Sequence, residues 1–64
     1  MELNRESVNL ALARKQMSIT QLAKEYGVSR ARINVILNSR SITNVCAGRV
    51  AKCLNCDVAD IVDL

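Results

Sequence analysis

The sequence predicts an all-α domain of five short helices, and three observations predict it. Half of the 64 residues are apolar, yet Tyr26 is the one aromatic and there is no Pro or Trp. That composition favours a core of Leu, Ile, Val and Ala packed between helices, and hydrophobicity this high argues against disorder. N-capping residues recur just ahead of apolar stretches with helical spacing. Between those stretches stand Gly27 and Asn55, which tolerate the left-handed backbone that follows a helix end.

Each helix has its own local reason. Asn4 caps the first, with Leu3 and Val8 placed as a hydrophobic staple across the cap. Val8, Ala11 and Leu12 form its inner face, and it is expected to end near Gln16, with Met17 as connector. Ser18-Ile-Thr-Gln21 has the form of a capping box and starts a second helix, Ile19 to Tyr26, that buries Leu22 and Ala23. Gly27 stops it, Val28 fills the corner, and Ser29 caps a third helix expected to run to about Leu37. Residues 38–42 read as a loop. Thr43 caps a fourth helix with Val50 and Leu54 inside, ended by Asn55. Asp57 caps a short fifth helix bearing Val58, Ile61 and Val62, with Asp57 and Asp60 early, where the helix dipole favours them.

A chain this short buries only about 60% of its unfolded surface, which makes a partner subunit a natural source of further stability. The formal charge is +3, and its distribution is uneven. All nine Lys and Arg lie within residues 1–52 against three Glu, while residues 53–64 carry only Asp57, Asp60 and Asp63. A basic body with a small acidic end suits a polyanion bound on one face. No segment approaches the ~20 apolar residues of a membrane span, and the opening MELNRES lacks the basic-then-apolar pattern of an export signal. The expected location is cytoplasmic.

Cys46, Cys53 and Cys56 are an odd number with a single C-x-x-C, and no His can complete a zinc site. They read as small core residues. A thiol-based redox or metal sensor at Cys53 and Cys56 stays open as an alternative. The absence of His, of paired carboxylates and of a phosphate-cradling Gly loop argues against an enzyme, and no cofactor is expected.

The span Gln21-Leu-Ala-Lys-Glu-Tyr-Gly-Val-Ser-Arg-Ala-Arg-Ile33 resembles the helix-turn-helix of the lambda-repressor-like (Cro/CI, Xre-type) DNA-binding family. The resemblance rests on Leu22-Ala23, Gly27 at the turn, Val28-Ser29 and Ile33. It extends to Arg49-Val-Ala-Lys-Cys-Leu and Cys56-Asp-Val-Ala-Asp-Ile-Val, which look like the closing helix pair. It implies a compact domain whose third helix enters the major groove of double-stranded DNA. The size resembles a phage Cro-like protein or a minimal repressor. The physical requirement is consistent: two helices crossing near about 100° need a short Gly-containing turn, with small and branched residues where they meet.

At helical spacing Ser29, Ile33, Ile36 and Leu37 form the core side of the third helix. The other side carries Ala31, Val35 and Asn38, edged by Arg32 and by Arg30 and Asn34. Arg can donate twice to guanine, Asn can pair with adenine, and Ala or Val can touch a thymine methyl. Arg30, Ala31, Asn34 and Val35 are therefore the expected base-reading residues, with Arg32 directed at phosphate. Ser18 and Ser29 begin helices whose free N–H groups suit phosphate, and Thr20 and Gln21 stand beside the first of them. The resemblance further implies backbone contacts from Asn38, Arg40 and Thr43. It also exposes departures: Ile19 stands where many relatives have a phosphate-binding Gln, and Leu37 and Ser39 stand where relatives often have Glu and Gly. Asn38 is accordingly expected to supply a left-handed exit turn.

The expected action is repression as a homodimer on a two-fold-symmetric operator, with Ile42, Val45 and Leu64 as candidate dimer contacts. The competing reading is an antitoxin-type protein-interaction module with secondary DNA binding, which a long unfolded tail would favour; these residues include none.

Overall fold

The structure is a computed structural model and describes residues 1–63, so Leu64 lies outside the described residues. The order of elements is β1 (Glu2–Leu3), α1 (Arg5–Arg14), α2 (Ile19–Tyr26), α3 (Arg30–Asn38), α4 (Asn44–Cys53), one 3-10 turn (Val58–Asp60) and β2 (Val62–Asp63). Four α-helices thus replace the expected five.

All four start as their sequence dictates. The side chains of Asn4, Ser18, Ser29 and Thr43 each accept a hydrogen bond from the backbone N–H three residues on. At Ser18 the reciprocal bond from its own N–H to the Gln21 side chain completes the capping box. Each cap satisfies one donor that the helix itself leaves unpaired, and its loss costs about 1 kcal/mol.

Three helices end by one device. Gln16 (φ 53°), Gly27 (φ 94°) and Asn55 (φ 53°) take the left-handed conformation. The next residue in each case then donates its N–H five residues back: Met17 to Leu12, Val28 to Ala23 and Cys56 to Ala51. This closes the orphan carbonyls of the last turn. It also ends α1 at Arg14, two residues earlier than expected. α3 is the exception. It continues through Asn38, and Ser39 leaves in an extended conformation (φ −73°, ψ 138°), so the left-handed turn expected at Asn38 does not form.

The expected fifth helix is the largest correction. Asp57 does cap it, but only the 3-10 turn forms, after which Ile61 and Val62 leave the helical path. Val62–Asp63 instead pairs antiparallel with Glu2–Leu3, Leu3 opposite Val62. Asn4 adds a backbone bond to the Ile61 carbonyl (2.7 Å) and a side-chain bond to the Asp63 carboxylate (2.8 Å). Residues 2–4 and 61–63 are stitched together, and Leu3, Ile61 and Val62 are delivered to the core.

That core is one cluster. Leu22, Ile33, Ile61, Val8 and Val50 are its fully enclosed centre. Each such side chain contributes roughly 1.5–3 kcal/mol by leaving water. Leu37 is buried here, and Ile19 packs partly against the same cluster, so both apolar side chains are absorbed by the core.

Candidate nucleic-acid interface

α2 and α3 are joined by Gly27, Val28 and Ser29 and pack directly on each other. Ala23, almost fully buried, has no bulk to hold the helices apart, while Ile33 and Ile36 fill the crossing. Gly27 is required for its backbone: at φ 94° a side chain would be strained, although a Cβ there would meet nothing within 4 Å.

This packing decides which side of α3 is free. Ile33, Ile36 and Leu37 point inward. Arg30, Ala31, Arg32, Val35 and Asn38 are exposed, and Asn34 is half-buried. Val35 keeps 57% of its surface in contact with solvent, unusual for a branched apolar side chain. Ser29, expected on the core side, is exposed as the N-cap, where its Oγ accepts from Arg32 N–H (3.1 Å).

The expected backbone-contacting residues fall into three groups. Ser18, Ser29 and Thr43 are caps with their hydroxyls already accepting from a backbone N–H; earlier N–H groups of each first turn have no partner within the helix. Gln21 commits its carbonyl to the Ser18 N–H (2.7 Å), which leaves its amide nitrogen as a donor, and Thr20 is exposed beside it. Arg40 is exposed on the loop between α3 and α4. That loop is ordered by Ser39 and Ser41, whose hydroxyl and backbone groups bond each other, and by the Ile42 N–H donating to the Met1 carbonyl (2.7 Å).

A groove of about 490 Å³ separates α3 from α4. Arg32 and Val35 stand on one wall, Ile42, Thr43 and Cys46 on the other, so the structure draws two α3 positions together with a cap residue of α4. Arg30, Ala31 and Asn34 lie outside it.

Two arginines with no role expected from the sequence fasten the C-terminal ends of α3 and α2. Arg5 donates through Nη1 to Asn38 Oδ1 at the end of α3 (3.0 Å). Arg49 donates to the Tyr26 carbonyl at the end of α2 (2.8 Å). Neither partnership has a local signature, since the residues are 33 and 23 positions apart.

The cysteines are half-buried against the core, less enclosed than expected. Burial pushes the Cys53 thiol up, helped by the Glu25 carboxylate, and burial with Asp60 does the same at Cys56. Both shifts reduce the reactive thiolate at neutral pH. Among the described residues, no group of three or more His, Cys, Asp and Glu side chains could hold a metal ion, and no helix is long and apolar enough to cross a membrane.

Comparison with known proteins agrees with this geometry. The pattern of the Cro/C1-type helix-turn-helix DNA-binding domain matches residues 9–64. No curated protein and no solved structure matches the chain.

Proposed function

The chain belongs to the Cro/C1-type helix-turn-helix DNA-binding family, and on that premise we propose that it is a sequence-specific transcriptional repressor. The observation that carries the reading is the free face of α3: Arg30, Ala31 and Val35 exposed, with Asn34 half-buried beside them, on a helix whose other side is fully engaged in the core. In the major groove Arg30 reads guanine, Asn34 reads adenine, and Ala31 and Val35 contact thymine methyl groups. Ser18, Thr20, Gln21, Ser29, Arg32, Asn38, Arg40 and Thr43 hold the sugar–phosphate edges on either side.

The repressor acts as a homodimer. The longest dimension of the molecule is 26 Å, shorter than the roughly 34 Å between successive major-groove half-sites. One copy therefore reads one half-site. Val45, 73% exposed at the start of α4, and the neighbouring half-buried Ile42 are the contacts offered to the second copy. Occupying a promoter suffices for repression and requires no further domain.

The test is binding to duplex DNA from upstream of the chain's own gene, followed across a salt series. Tight binding to a two-fold-symmetric site, with affinity falling steeply as salt rises, is expected. Equal affinity for every duplex would refute sequence-specific action.

A further inference from the structure

We infer that Arg5 is a positioning residue for DNA recognition, acting by orienting the side-chain amide of Asn38 at the exit of α3. The inference rests on the proposed DNA-binding function and adds to it a residue that lies outside the span matched by the family pattern.

The argument starts from donor and acceptor chemistry. A guanidinium has donors and no acceptor, so only the oxygen of the Asn38 amide can face it. The 3.0 Å bond from Arg5 Nη1 to Asn38 Oδ1 thus settles which way round the amide stands. The Nδ2 group, with its two donors, is turned away from Arg5 on an exposed residue at the end of the recognition helix. Without Arg5 the amide could rotate and present its oxygen, which phosphate repels. With Arg5 in place it presents donors.

The arm that carries Arg5 is itself anchored. Glu2–Leu3 is paired to Val62–Asp63, and Asn4 is bonded to both Ile61 and Asp63. From that fixed base the same segment reaches both ends of the α3–α4 loop. Arg5 holds Asn38 before it, and the Met1 carbonyl accepts from Ile42 N–H after it. Because α3 ends on an extended Ser39 with no left-handed closure, this exit depends on tertiary bonds more than the other helix ends do.

The experiment uses the full chain and a labelled duplex that the wild-type chain selects from a randomised pool. Affinity is measured for Arg5→Met, Asn38→Ala and the double variant, at a temperature where circular dichroism shows all of them folded. Each single substitution is expected to weaken binding by about fivefold, the value of one ordinary hydrogen bond. The double variant is expected to be no weaker than either single one, and the salt dependence and base preference should stay unchanged. Arg5→Lys, which keeps a donor and the charge, should recover part of the loss. Losses that multiply in the double variant, with a salt slope reduced by about one in Arg5→Met, would mean that Arg5 grips phosphate directly and would overturn the inference. So would an unchanged affinity in Arg5→Met. If the wild-type chain selects no duplex, the DNA-binding reading itself fails, a result distinct from indifference to Arg5 alone.

Discussion

The Arg49 guanidinium lies 4.1 Å from the centroid of the Tyr26 ring and donates to the Tyr26 carbonyl at 2.8 Å. One α4 side chain therefore both covers the single aromatic ring of the protein, at the end of α2, and satisfies a carbonyl at the negative end of that helix. Tyr26 in turn donates its hydroxyl to Cys46 Sγ, one turn before Arg49 on α4 (3.2 Å). The end of α2 is thereby latched to α4 without an ion pair.

Arg49→Ala should destabilise the fold by about 1–2 kcal/mol, less than the full sum of a cation–π contact and a charge-assisted hydrogen bond because Arg49 is solvent-exposed. Urea unfolding measures it. Arg49→Lys should recover less than half, because an ammonium cannot lie flat on the ring while bonding the carbonyl. Full recovery would contradict the planar geometry.

The two glycines predict opposite signs. Gly27→Ala should cost about 1–2 kcal/mol through backbone strain alone, since φ is 94° and a Cβ has open space. Gly48 lies inside α4 with equally open space, so Gly48→Ala should stabilise by about 0.5–1 kcal/mol. Thermal melting of the pair, compared side by side, checks both.

Base readers and backbone holders should separate in binding assays. Arg30→Ala is expected to lose about 1–3 kcal/mol and to relax preference at one base pair. Arg40→Ala should weaken all duplexes alike and lower the salt slope by about one. If Arg30→Ala changed neither affinity nor preference, α3 would not be the reading element.

Stability should fall in alkaline solution. The Cys53 and Cys56 thiols are held above their ordinary pKa of about 8.5, mainly by burial. Tyr26 is raised too, first by its hydrogen bond to Cys46 and then by burial. The unfolded chain therefore releases these protons before the folded one does. The stabilisation they represent is complete below the unfolded values and is lost as pH rises through the folded ones. Urea midpoints at about pH 7.5 and about pH 10 should show the decline, and Cys53→Ala with Cys56→Ala should flatten it.

What could be read along the chain is whatever is encoded within a few residues. The caps at Asn4, Ser18, Ser29, Thr43 and Asp57 follow from side chains bonding backbone N–H groups two or three positions away, the stop at Gly27 from its left-handed backbone, and the inward faces of all four helices from apolar residues at helical spacing. The exposed face of α3 follows as well, because a helix with Ile33, Ile36 and Leu37 inside leaves Arg30, Ala31 and Val35 outside.

What needed the folded chain is whatever joins distant residues. Val62 reads as the last apolar position of a helix until Leu3 is beside it, and that strand pairing joins residues about 60 positions apart. Asn38 reads as a turn residue until Arg5 arrives from α1, and nothing local to Arg5 or Arg49 points to Asn38 or Tyr26 as a partner. Local capping costs no loop closure and is written in the chain, whereas these pairings exist only once the core at Leu22, Ile33 and Ile61 has brought the ends together.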